Sequence, residues 1–137
     1  MTLVGCDLHS RNQQVAVLDT ATGEVQERRL IHDGDTVEQF YTSLAGPVTV
    51  GIESTGYALW FHALLQRLGH EVVVGDAAQI RAMVVRKTKT DRRDAAHLLD
   101  LLKHDRFPTI WMPDPTVRDA RATVDLYRRV FEEFDYV

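Results

Sequence analysis

The sequence predicts a mixed α/β fold, with three antiparallel strands, then parallel strands, and helices that flank the sheet. Residues 1–31 carry three short strand-like stretches joined by turn residues. Residues 36–104 instead alternate helical and strand-like patterns. Strands joined by tight turns pair antiparallel, and strands separated by helices usually pair in parallel. The two parts of the pattern therefore fit one mixed sheet.

The three antiparallel strands come first. TLVGCD at 2–7 is a short apolar run that ends on an acid, and QQVAVLD at 13–19 alternates apolar and polar residues. The polar SRN between them predicts a hairpin. After the turn residues TATG, EVQERRLI at 24–31 predicts a third, partly exposed strand.

A helix and a buried strand follow. Asp35 or Thr36 can cap a helix near 36–45, and Gly46-Pro47 ends it. VTVGIE at 48–53 is β-branched and too apolar for a sheet edge, so we expect a buried strand parallel to the first. Like the first strand, it ends on an acid.

The rest of the sheet and its helices follow in alternation. We expect a helix from Ser54 or Thr55 to Gly69, with Leu59, Trp60, Leu64, Leu65 and Leu68 on its apolar face. EVVVGD at 71–76 predicts another buried strand, and 77–85 a short helix. A helix over 91–104 buries Ala95, Leu98, Leu99, Leu101 and Leu102.

Composition bounds the classes of protein to consider. The chain has 137 residues, 45% hydrophobic and 26% charged, which suits one globular domain. We expect that domain at 1–113 and a C-terminal helix at 114–137. The single cysteine, Cys6, excludes an intrachain disulfide, and no secretory signal or apolar run of about 20 residues is present. We therefore expect a cytoplasmic protein with no membrane span.

The C-terminal segment 116–135 carries apolar residues at steps of three and four, at Val117, Ala120, Val124, Tyr127, Phe131 and Phe134. That spacing is typical of a heptad seam, although it covers less than three heptads. Two interpretations stay open. The helix packs on its own domain, or it pairs two chains in a homodimer.

Four acids form the candidate site. Asp7 and Glu53 each end an apolar strand, at the edge where such sheets place ligand-binding groups. Asp91 and Asp94 are three apart in the first turn of a predicted helix, and so share one face. Each acid alone is explained as a turn former or a helix-start acid. Four carboxylates that converge need either cations or protons to compensate their charge, and Mg²⁺ or Mn²⁺ fits oxygen ligands and phosphodiester chemistry best.

A positive patch surrounds two of these acids in a chain whose net charge is −4. Such a run is often only a solvated surface, but beside a phosphodiester site it would contact phosphates. The nucleic-acid-binding candidates are Arg86, Lys87, Lys89, Arg92 and Arg93.

The histidines show no metal-ligand spacing. His9 is close enough to Asp7 to enter the site, although a turn histidine is the simpler interpretation. We expect Cys6 to be a small buried residue without nucleophilic chemistry. We expect surface positions on helices or turns for His62, His70, His97 and His104.

Three segments resemble the N-terminal domain of the DEDD transposases of bacterial insertion sequences, the "IS one-ten" family, also called bridge-RNA-guided recombinases. They are VGCDLHSRNQQVAVLD, VGIESTGYALWFHALLQRLGHEVVVGDAAQIRAM and RKTKTDRRDAAHLL. The resemblance extends from about residue 3 to about residue 113. That domain is similar to the RuvC Holliday-junction resolvase, so the resemblance implies a ribonuclease H-like fold.

The resemblance also implies a function. Asp7, Glu53, Asp91 and Asp94 would be the four acids of the DEDD set and would bind Mg²⁺. The substrate would be DNA in transposition, with a structured guide RNA as partner. The family's Lys after the first His is Ser10 here, which puts any role for that position in doubt. The family continues through a coiled coil into a domain with a catalytic serine, which we expect this chain to lack.

Two other functions compete with a metal-dependent transposase domain. A non-catalytic module of the same fold could bind nucleic acid or dimerise. An actin-like ATPase shares the strand order but needs a second Gly-rich phosphate-binding loop, which the sequence does not show.

Overall fold

The computed structural model describes residues 1–54, 58–83 and 91–110, without the side chains of 91–93. Within these ranges, the strands are β1 (Thr2–Leu8), β2 (Asn12–Asp19), β3 (Val25–Ile31), β4 (Val48–Glu53) and β5 (Glu71–Gly75). The helices are α1 (Thr36–Ser43), α2 (Leu59–Arg67), α3 (Ala77–Ala82) and α4 (Asp91–Lys103).

The five strands form one sheet in the order β3-β2-β1-β4-β5. β2 pairs antiparallel with both β1 and β3, whereas β4 lies parallel to β1 and to β5. The predicted mixed α/β class is confirmed, and the arrangement agrees with the ribonuclease H-like fold that the resemblance implies. β1, which ends near Asp7, lies in the middle of the sheet.

One face of the sheet packs against α1 and α2. Side chains alternate along a strand, so Val4 and Cys6 of β1 point to the same face as Val50 and Ile52 of β4. All four are fully buried, together with Tyr41 of α1 and with Phe61 and Leu65 of α2. This face holds the largest apolar cluster among the described residues.

The opposite face packs against α4, and a glycine lets the helix come close. A Cβ on Gly5 would overlap the backbone nitrogen of Leu99 and the carbonyl oxygen of Ala95. Below the helix, Ala16 and Leu18 of β2 pack with Ala95 and Leu99. The small residues under α4 therefore fix where the helix lies over β1 and β2.

α2 begins later than the sequence suggested. It starts at Leu59, with Ala58 at the N-cap rather than Ser54 or Thr55. Phe61, Leu64, Leu65 and Leu68 follow the helical spacing that faces the sheet, so Trp60 lies at the border and is 42% exposed. The expectation that Trp60 belongs to the apolar face was wrong, and Phe61, which we did not expect there, is fully buried.

β5 lies at one edge of the sheet, and its buried character is confined to its second half, Val74 and Gly75. Residues 107–110 run along that edge: the Ile110 N–H donates to the Val74 carbonyl at 2.8 Å, and the Asp76 N–H donates to the Pro108 carbonyl at 2.9 Å.

None of the helices in the described ranges is long and apolar enough to cross a lipid bilayer. The expected helix at 116–135 and the expected domain boundary at 113/114 lie outside the described residues.

Candidate active site

Asp7 and Glu53 lie side by side at the carboxyl edge of the sheet. The parallel register pairs Cys6 with Ile52, so each acid comes one residue later on its strand. Neighbouring strands are about 4.8 Å apart. Because Cys6 and Ile52 point to the α1–α2 face, alternation turns Asp7 and Glu53 to the face that α4 covers. The expected pairing of these two strand-end acids is therefore present.

The first turn of α4 lies toward the same edge. Gly5 meets the helix at Ala95 and Leu99. Two turns after Ala95, Leu102 lines a groove with Leu3 and Thr49, which belong to the amino halves of β1 and β4. The helix therefore runs from the carboxyl edge of the sheet toward its amino edge, antiparallel to β1.

Asp94 occupies the near end of that helix. It precedes Leu98 by one turn, and Leu98 packs with Ile80 of α3 and with Phe107, whose ring lies over Gly51 of β4. Asp94 is thus on the side of α4 that faces β4, and its side chain is half-buried. Asp91 begins the helix, but its side chain lies outside the described part of the chain.

The acids do not form a closed metal cage. Among the side chains that the structure describes, no three His, Cys, Asp or Glu residues are arranged to hold a metal ion. Asp7, Glu53 and Asp94 come from three elements directed at one edge, and their hard carboxylate oxygens are the donors that Mg²⁺ and Mn²⁺ prefer. The donor set fits such an ion, while full convergence of the four acids stays a prediction.

The basic candidates cannot be located in the same way. Arg86, Lys87 and Lys89 lie outside the described residues. Arg92 and Arg93 lie in α4, but their side chains are not among those that the structure describes. The nucleic-acid interface therefore stays a prediction from the sequence.

A further acid at the carboxyl edge has a structural role. Asp76 follows β5, and its Oδ1 accepts hydrogen bonds from the backbone N–H groups of Ala78 at 2.9 Å and Gln79 at 3.3 Å. It is the N-cap of α3. Sequence reasoning passed over Asp76, although an Asp directly before a short helix is a typical capping signal.

His9 contacts Asp7. The His9 Nε2 lies 2.9 Å from Asp7 Oδ2, with the two side chains 39% and 16% exposed. Sequence reasoning preferred a turn histidine without a role in the site. Since residues two apart on an extended chain share a face, the Asp-x-His spacing was the signal that could have found this contact.

Two titratable groups are buried in the core. Cys6 is fully buried, as expected, and burial raises the pKa of its thiol far above the ordinary value. His62 is 2% exposed, and burial lowers its pKa to about 4. The expectation of a surface position for His62 was wrong, because it follows Phe61 on the side of α2 that packs inward.

The comparisons with known proteins agree with this architecture. A family model for DEDD transposases of the IS110 type, described as "Transposase", matches residues 4–135. A relative from Sinorhizobium fredii named "Putative transposase y4qE" is 38% identical over 74 residues, which are 54% of this chain but 18% of the relative. Because the family model matches nearly the whole sequence, the chain belongs to the IS110-type family of DEDD transposases.

Proposed function

We propose that this chain is the catalytic DEDD domain of a DNA transposase, which carries out metal-dependent phosphodiester chemistry on DNA. One observation carries the proposal: two carboxylates from neighbouring parallel strands, Asp7 and Glu53, share an edge toward which the first turn of α4 is directed. Family membership supports DNA as the substrate.

In this proposal, Asp7 and Glu53 hold a divalent ion, Mg²⁺ or Mn²⁺, from the sheet, and Asp94 and Asp91 hold it from the helix. When bound, the ion stabilises negative charge on the attacking and leaving oxygens of a phosphodiester displacement. The positive end of the α4 dipole also favours negative charge at this edge. The carboxylates therefore need no protonation to approach one another once an ion is bound.

The basic residues bind the nucleic acid in the same proposal. Arg86, Lys87 and Lys89 precede α4, and Arg92 and Arg93 lie in its first turn. Lys and Arg beside a phosphodiester site neutralise backbone phosphates without reading sequence. A structured guide RNA and a second copy of this chain, paired through 116–135, are the further partners that we propose.

The test is Mn²⁺ binding by isothermal titration calorimetry, together with Mg²⁺-dependent cleavage or joining of DNA. We expect Asp7→Asn and Glu53→Gln each to weaken Mn²⁺ binding by more than about tenfold. Loss of a residue that only hydrogen-bonds to a metal ligand already weakens binding by about that factor, and these two residues would be ligands themselves. Asp19→Asn is the matched control, because Asp19 also ends a strand but lies at the opposite edge, beside Thr2. Wild-type protein that binds no Mn²⁺ would contradict the proposal.

The alternative is a non-catalytic nucleic-acid-binding or dimerisation module with the same fold. If this alternative holds, the protein should still bind DNA after the substitution Asp7→Asn and after divalent ions have been removed with a chelator. Its affinity for DNA should fall steeply as the salt concentration rises. The metal-dependent function predicts that the same substitution removes activity and Mn²⁺ binding together.

A further inference from the structure

We propose that His9 positions Asp7 for metal binding and that His32 holds the turn that carries His9. This inference rests on the proposed function, since it concerns how one proposed metal ligand is oriented. It assigns to two histidines a positioning role, with no contact to substrate.

The contact between His9 and Asp7 has a defined direction. A carboxylate oxygen only accepts hydrogen bonds, so the imidazole Nε2 at 2.9 Å from Asp7 Oδ2 carries the proton and donates it. Both side chains are at least partly shielded from water, at 39% and 16% exposure. The donated bond restricts rotation of the carboxylate and sets which oxygen faces the imidazole.

Ligand carboxylates in metal sites are commonly held by such outer hydrogen bonds. His9 fits this role by its place in the chain. It follows Asp7 by two residues, and its backbone N–H donates to the Asn12 carbonyl at 2.9 Å, which closes the β1–β2 turn. The imidazole is therefore held on the same rigid hairpin as the carboxylate that it orients.

His32, the residue after β3, contacts the other side of this turn. Its backbone N–H donates to the Arg11 carbonyl at 2.8 Å. Its ring Nδ1 lies 3.2 Å from the Ser10 carbonyl oxygen. Residues 9–11, between Leu8 and Asn12, are thus fastened to the neighbouring strand by two contacts from one residue.

A series of hydrogen bonds that leads from His32 into the core fixes the tautomer of His32. The Tyr41 hydroxyl at 2.6 Å and the Cys6 thiol at 3.4 Å both donate to Gln13 Oε1. The Gln13 amide nitrogen must then donate to His32 Nε2 at 3.2 Å, which leaves the ring proton on Nδ1. That proton is the one donated to the Ser10 carbonyl oxygen at 3.2 Å, which can only accept.

The packing around His32 also limits its movement. Its ring meets Trp60 edge to face, with centroids 5.0 Å apart. Gln13 and Tyr41, which lead from His32 into the core, are fully buried. Through His32, the packed core therefore restricts the position of the β1–β2 turn. Through His9, that turn restricts the orientation of the Asp7 carboxylate.

The test measures Mn²⁺ affinity at a fixed neutral pH, with urea denaturation of each variant alongside. We expect His9→Phe, which keeps a ring but removes the donor, to weaken Mn²⁺ binding by about 10–100-fold. The urea midpoint should not change, because His9 is partly exposed. His9→Gln, which retains an N–H donor, should restore most of the affinity. His32→Phe, which keeps a ring against Trp60 but loses the bonds to Ser10 and Gln13, should give an intermediate loss.

The matched control is His104→Phe. His104 also pairs with an acid, Asp100, with its Nδ1 3.2 Å from Asp100 Oδ1, but near the far end of α4. The inference is overturned for His9 if His9→Phe binds Mn²⁺ as the wild type does, and for His32 if His32→Phe does so. Wild-type protein that binds no Mn²⁺ would instead overturn the proposed function, and this inference with it.

Discussion

His62 is a titratable side chain in an apolar setting. It is 2% exposed, and burial lowers its pKa from 6.5 to about 4. The imidazole therefore takes up a proton more readily in the unfolded chain than in the folded protein. The stability that neutral His62 allows is fully present above pH 6.5 and is lost as the pH falls through the window from 6.5 to about 4.

We predict that this residue makes the free energy of unfolding fall by about 2 kcal/mol between pH 7 and pH 5. The measurement is urea denaturation across that range for the wild type and for His62→Gln, which lacks the titrating group. The difference between the two slopes isolates His62 from the carboxylates. His104→Gln removes an exposed imidazole and controls for a general effect of losing a histidine. Equal slopes for the wild type and His62→Gln would contradict the account.

Only some of the site and core residues could be predicted from the sequence. Asp7 and Glu53 could be found because a carboxylate that ends an apolar strand stands out against its neighbours. The capping role of Asp76 and the contact between His9 and Asp7 each had a signal in the sequence, an Asp before a short helix and the Asp-x-His spacing, but many turn residues share those patterns and only the distances single them out. The burial of His62 was missed because it depends on which face of α2 packs inward, and the sequence prediction placed Trp60 rather than Phe61 on that face.

At the scale of elements, the candidate site depends on how α4 crosses the sheet. The helix and its buried residues could be predicted from the spacing of Ala95, Leu98 and Leu99. Its direction over β1 could not, because the glycines that admit it look in the sequence like weak strand residues. Gly5 allows contact with the α4 backbone, whereas Gly51 faces the side chains of Leu102 and Phe107.

We predict that Gly5→Ala destabilises the protein by at least about 2 kcal/mol, because overlap with the helix backbone cannot be relieved by a rotamer change. Gly51→Ala should cost less, since the Phe107 ring and the Leu102 methyl groups can move. Gly46→Ala is the control, because a Cβ there meets nothing within 4 Å. The measurement is the free energy of unfolding in urea. A Gly5→Ala variant as stable as Gly46→Ala would contradict the described packing of α4.

At the scale of the whole molecule, the charges are distributed unevenly. The net charge is −4, yet six cationic residues lie between positions 81 and 93. A chain of this kind can bind a polyanion only through a local patch. The patch directly precedes and enters α4, whose first turn is directed at the edge that carries Asp7 and Glu53. We therefore expect the cations to lie at the same end of the molecule as the candidate acids.

We predict that the double variant Lys87→Gln and Lys89→Gln weakens DNA binding and lowers the salt slope of the logarithm of affinity by about 2. Each lysine lost removes one released counterion from the binding equilibrium. The matched control is Arg29→Gln with Lys103→Gln, which removes two exposed cations from β3 and from the far end of α4. Equal slopes for the two double variants would contradict the assignment of the patch.

The central claim is that carboxylates from β1, β4 and α4 hold a divalent ion together. The most direct measurement is the anomalous scattering of manganese in crystals of the protein soaked in Mn²⁺. We predict a manganese peak within coordination distance of Asp7, Glu53 and Asp94, with ligand distances near those of Mg²⁺, about 2.1 Å. Crystals that show no manganese at this edge, with the three carboxylates still turned apart, would contradict it.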